Sequence, residues 1–171
     1  MTISILTAPA AMLVFAFIMV YAGLTDLTTM KIPNGLVLLF LLAYVVLVPF
    51  AGFTVYEIAW SAAVAAGVLI VAFILFAFGW IGGGDAKLAA VTALWFGADH
   101  TAAYLLYTAL LGGVFTLGLL QFRILTLPDW LQNRSWIARL HSQWSDVPYG
   151  VAMALAALIV FPETRWMTTI F

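Results

Sequence analysis

The sequence predicts an all-α, polytopic membrane protein with six transmembrane helices, the fourth of them short, and three observations predict it. Of 171 residues, 66% are hydrophobic and only 8% are charged, where a soluble domain carries about 25%. So few charges could not cover a surface in water, and the solvent must be a bilayer. Charge-free stretches run over 1–25, 32–56, 58–84, 88–98, 101–122 and 147–162, against the ~20 apolar residues a helix needs to cross the hydrocarbon. Basic residues then gather on one side of these stretches. The whole chain, 1–171, reads as one integral-membrane domain.

The first span is placed at about 4–24. No charged side chain falls in the first 25 residues, whereas a cleavable signal peptide opens on a basic region, so this segment is read as a mature helix. The second and third spans fall at about 35–53 and 58–79, with Glu57 favouring the start of the third through the helix dipole. The fourth, at about 86–98, covers only ~20 Å even when counted from Asp85. It is either re-entrant or a span whose start is sunk below the membrane surface, where protein or a hydrated cavity must satisfy the backbone. A short turn holding Asp99 and His100 leads to the fifth span, about 101–121. The sixth occupies about 148–164, with Glu163 and Arg165 reaching outward and Asp146 capping its start before Pro148.

If all six segments span, the loops after the first, third and fifth share one face. They hold Lys31, Lys87, Arg123, Arg134 and Arg139, five of the six basic residues. The positive-inside rule makes that face cytoplasmic and puts both termini outside. A re-entrant fourth segment would split the basic residues, which favours six spans. The cytoplasmic loop 122–147 opens on Thr126, Pro128 and Asp129, a helix-start pattern. Trp130, Ile137, Leu140 and Trp144 follow near helical spacing, as in an interfacial amphipathic helix; a loop merely anchored by tryptophans is the alternative.

Nothing in the composition points to nucleic acid, since there is no basic patch with interleaved aromatics. Without cysteine there are no disulfides and no thiolate ligands, and His100 and His141 make no metal motif. The serines, Ser4, Ser61, Ser135, Ser142 and Ser145, lie outside any nucleophile motif.

Chemistry concentrates where two segments break the apolar pattern. Asp26 precedes Lys31-Ile32-Pro33-Asn34 at the exit of the first span, and Gly82-Gly83-Gly84-Asp85-Ala86-Lys87 enters the fourth. An ionisable group at membrane depth is costly and marks a functional site by default. Two carboxylates on one face can share a proton, one activating water while the other donates a hydrogen bond to a carbonyl. That suffices for amide hydrolysis without metal or cofactor. Gly82, Gly83 and Gly84 leave no side chains in the way of an extended peptide and supply a hinge. Pro33 and Asn34 turn the chain and start the second helix. Plainer readings stand beside these: Asp85 as a helix N-cap, Asp26 as an interfacial charge, Lys31 and Lys87 as topology determinants.

At these residues the sequence resembles the type IV prepilin peptidase family, aspartyl proteases of the GxGD type. The resemblance rests on the aspartate followed by Lys31-Ile32-Pro33-Asn34, on Gly82-Gly83-Gly84-Asp85-Ala86-Lys87-Leu88, and more weakly on Val147-Pro148-Tyr149-Gly150. It implies Asp26 and Asp85 as the catalytic pair, with Gly82, Gly83, Gly84, Lys87, Lys31, Pro33 and Asn34 in support. It further implies a bacterial cytoplasmic-membrane enzyme cutting prepilin precursors, whose basic leader ends in glycine ahead of a hydrophobic helix. Larger members carry an N-terminal cytoplasmic segment with paired cysteines; this chain starts in its first span and has none. It is therefore similar to the short, peptidase-only CpaA/TadV enzymes of Flp-type pilus systems. A small proton-coupled transporter and a non-catalytic assembly subunit are the rival readings. The first would need polar residues through the midplane, where the spans offer few besides Ser61, Thr92, Thr108 and Thr116.

Overall fold

A computed structural model describes residues 2–142 and 146–167 of the chain, with side chains from Thr7 onward except that of Asp129. All regular structure among them is helical. Helix α1 runs Thr2–Thr29, α2 Asn34–Leu47 with a 3-10 turn Val48–Phe50, and α3 Val55–Ala77. A 42-residue α4, Gly83–Ile124, is followed by short α5 (Asp129–Gln132) and α6 (Ser135–His141). Helix α7, Tyr149–Val160, ends in a 3-10 turn, Phe161–Glu163. Three helices, Thr7–Thr29, Val55–Ala77 and Gly83–Ile124, are long and apolar enough to cross a membrane; Asn34–Phe50 and Tyr149–Glu163 are shorter apolar helices.

Helix α4 is two limbs. Gly97 has φ 66° and ψ −167°, outside the helical region, a conformation glycine adopts without the steric cost of a Cβ. On a straight helix residues 93 and 101 would lie ~12 Å apart, yet Thr101 Oγ1 donates to the Ala93 carbonyl at 3.3 Å. The rings of Phe96 and Tyr104 meet at 5.2 Å. The second limb, 98–124, therefore folds back on the first, 83–96. Charge alone suggests a turn at Asp99 and His100; the reversal comes two residues earlier, at the glycine.

The first limb faces α1 in antiparallel register. Phe15 meets Trp95 with ring centroids 5.5 Å apart, Thr92 Oγ1 lies 3.9 Å from Met19 Sδ, and Asp26 shares cavities with Asp85. Helices α1 and α7 approach closely through small residues: a Cβ on Gly23 would come within 3.1 Å of the Ala154 methyl. Close packing of this kind is what joins helices in a solvent as apolar as their side chains.

Trp95 is the hub of the core. It is 2% exposed and touches the rings of Phe15, Phe40, Tyr44, Phe161 and Trp166. Its indole N–H donates to the Phe40 carbonyl and its own carbonyl accepts from Trp166 Nε1. Beside this cluster, Arg165 pairs with Glu57, donates to the Gly52 carbonyl at 3.1 Å and lies over the Phe53 ring. Thr54 and Glu57 form a reciprocal capping box at the start of α3, which deepens the role read for Glu57 from the dipole alone. Glu57, Asp99, His100 and Arg165 line one pocket.

Between α4 and α7, one continuous interfacial helix is replaced by two short ones. Pro128 and Asp129 do open a helix, but the chain is extended at Arg134 (φ −90°, ψ 111°) and restarts at Ser135. The break lets Leu140 bury while Trp130 stays exposed. Arg123 fastens the segment, donating to the carbonyls of Leu140 and Asp146, and Arg139 reaches the Thr28 carbonyl at 3.4 Å. Trp144 and Ser145 lie outside the described residues.

Candidate active site

Asp26 lies one turn before the end of α1, which continues to Thr29. It is 5% exposed, too buried for an ordinary interfacial charge. Its Oδ2 accepts a hydrogen bond from the Gly150 N–H at 2.7 Å. Gly150 is the second residue of α7, whose N-cap is Pro148. The first N–H groups of a helix have no partner within it and carry the positive end of its dipole, so the carboxylate sits where an anion is stabilised. The glycine is required there: a Cβ at 150 would lie 2.8 Å from both Cβ and Oδ2 of Asp26.

Asp85 does not cap α4 from the N-cap position. Gly82 occupies that place, and Asp85 sits in the first turn with its carboxylate folded back beside Gly82. The three glycines are filled differently from a merely open approach. A Cβ on Gly82 would come within 2.8 Å of Asp85 Oδ2, one on Gly83 within 3.2 Å of the Phe76 ring, and one on Gly84 within 3.1 Å of Ile32 Cβ. The segment thus packs against α3 and the α1–α2 connection while still lining a cavity of about 280 Å³ with Asp26, Asp85 and Lys31.

A second cavity of about 420 Å³ also holds Asp26 and Asp85 in its wall, with Trp80, Asp146, Pro148 and Tyr149. Asp146 does not cap α7, because proline at the N-cap leaves the turn without a side-chain cap. It stands instead as a third carboxylate on this cavity. Met30, on the wall of both cavities, has φ 57°, an unusual conformation for a residue with a side chain. It ends α1 where glycine or asparagine is usual.

The supporting residues have definite places. Lys87 Nζ donates to Asn34 Oδ1 at 2.9 Å, tying the start of α4 to the start of α2. Pro33 is the extended N-cap of α2 (ψ 134°). Lys31 is exposed beside the smaller cavity. Sequence reading missed the Gly150 donor and the place of Asp146, although Val147-Pro148-Tyr149-Gly150 already stood out. Among the described residues no cluster of three His, Asp or Glu side chains could hold a metal ion.

Fold and site define a helical membrane protein with two carboxylates and a glycine-rich helix start around shared cavities. A sequence model of the type IV leader peptidase family matches residues 13–117, a stretch that includes both aspartates. The chain belongs to that family and is a peptidase by membership. No curated protein and no solved structure matches it.

Proposed function

We propose that the protein is an aspartyl prepilin peptidase that removes the basic leader of type IV or Flp-like pilin precursors at the cytoplasmic face of the bacterial inner membrane. The carrying observation is that Asp26 and Asp85, from different helices, line the same two cavities. In this reading the chain is one six-span domain with both termini outside, the two limbs of α4 crossing separately.

One carboxylate, ionised, takes a proton from water as the oxygen attacks the scissile carbonyl carbon. The other, protonated, donates a hydrogen bond to the carbonyl oxygen. Collapse of the tetrahedral species breaks the C–N bond, and the proton taken from water passes to the leaving nitrogen. The products are a leader with a new carboxyl terminus and a mature chain with a free amine. No metal and no covalent intermediate enters. The Gly150 N–H holds the Asp26 carboxylate in place, and the cavities admit the water.

The test is cleavage of a purified precursor, followed by mass spectrometry. Asp26→Asn and Asp85→Asn should each abolish cleavage while the protein still inserts and accumulates; normal processing by either variant contradicts the proposal. Proton flux in liposomes without cleavage would instead favour the transporter, and retained pilus assembly by both variants the non-catalytic subunit.

A further inference from the structure

The wall of the larger carboxylate cavity continues into the bilayer-facing part of the molecule. Ile81, Asp85 and Tyr149 also line an adjoining groove of about 520 Å³ between α3, both limbs of α4 and α7. Along α3 the groove runs from Val64 to Leu75, about three helical turns or roughly 16 Å. Apart from Asp85 at its mouth, it carries no ionisable acid or base other than tyrosine.

We propose that this groove seats the hydrophobic helix that follows the scissile bond in the substrate, with the helix N-terminus towards Asp85. The proposal rests on the leader-peptidase reading. Two features favour a peptide helix over lipid tails. The groove and the carboxylate cavity are continuous, so a helix in one presents its preceding residues to the other. Gly67, Ala89 and Ala109 on its wall are small residues of the kind that let helix backbones approach closely in membranes.

Gly67 makes the groove testable, because a Cβ there meets nothing within 4 Å, and the same holds for Gly113, which lies outside the groove wall. Leucine at either position improves helix propensity. The purified protein in lipid nanodiscs is given two substrates: a full precursor with its helix, and a peptide ending a few residues past the scissile bond. Gly67→Leu should lower kcat/KM for the full precursor at least tenfold more than for the short peptide, chiefly through KM. Gly113→Leu should not separate the two substrates. Equal effects of Gly67→Leu on both, or none on the precursor, would overturn the proposal and leave the groove to lipid. Docking is read independently by a photoreactive phenylalanine at Val68 in the Asp26→Asn background. It should cross-link to the precursor helix, and failure to do so counts against the groove. If the unaltered protein cuts neither substrate, the leader-peptidase reading fails by itself, and the cross-link still decides whether a helix docks here.

Discussion

Trp95 and Asp85 lie ten residues apart on one limb of α4, about 15 Å, in opposite surroundings. Around Trp95 five aromatic rings close the space, and both indole N–H groups, its own and that of Trp166, are matched to carbonyls. Around Asp85, which three glycines precede, two cavities open and acidic groups share their walls. Both ends use the same α1–α4 pairing, with Phe15 opposite Trp95 and Asp26 on the cavity of Asp85. The contrast separates duties. The aromatic end holds the helices at fixed spacing, and the glycine-rich end keeps cavities of about 280 and 420 Å³ that the rest of the packing does not collapse.

Substitutions can break that division. Trp95→Ala should have the largest effect on stability, about 3–5 kcal/mol for an aromatic-to-alanine cavity. Protein that still folds should keep its turnover number, and thermal unfolding alongside initial rates would show both. Gly150→Ala should do the reverse. Its methyl cannot coexist with Asp26 at 2.8 Å, so cleavage should fall by roughly 10²-fold, on the scale of losing a positioned catalytic group. The protein should still accumulate in the membrane, which immunoblotting of membrane fractions checks.

Gly97→Ala acts on the fold-back itself. A Cβ would meet Ser61 Oγ at 3.0 Å on a backbone with φ 66°, at a cost of about 1–3 kcal/mol for strained backbone. Thermal stability should drop, with precursor KM rising if the second limb shifts. The smallest effect belongs to Lys87→Ala, which removes the bond to Asn34. About 0.5–1.5 kcal/mol is expected, as a small fall in the denaturation midpoint with cleavage retained; a loss of cleavage as deep as for the aspartates would instead make Lys87 part of the chemistry.

These cases also mark what the sequence made legible. Asp26 and Asp85 stand out because charge in an apolar chain is costly, and glycines beside one and a proline turn after the other strengthen the signal. The dipole role of Glu57 is local and readable, whereas its capping box with Thr54 comes only from the structure. Gly150 is not, because its partner lies 124 residues away and only folding reveals that its N–H meets a carboxylate. Asp146 resembles a cap because it is an aspartate shortly before a proline, and only the place of Pro148 at the N-cap excludes that role. The reversal falls at Gly97 and not at the charged Asp99 and His100, because a single glycine in an apolar run carries little signal for a turn. Periodicity in 122–147 cannot show the break at Arg134, after which Leu140 is buried.

The central claim is that Asp26 and Asp85 act as one unit, and single and double substitutions measured together test it most directly. Initial rates of precursor cleavage by Asp26→Asn, Asp85→Asn and the double variant should share one residual level, since groups that act as a unit are non-additive. Either single variant near the unaltered rate, or a double variant whose loss is the product of two partial losses, would contradict a shared carboxylate pair.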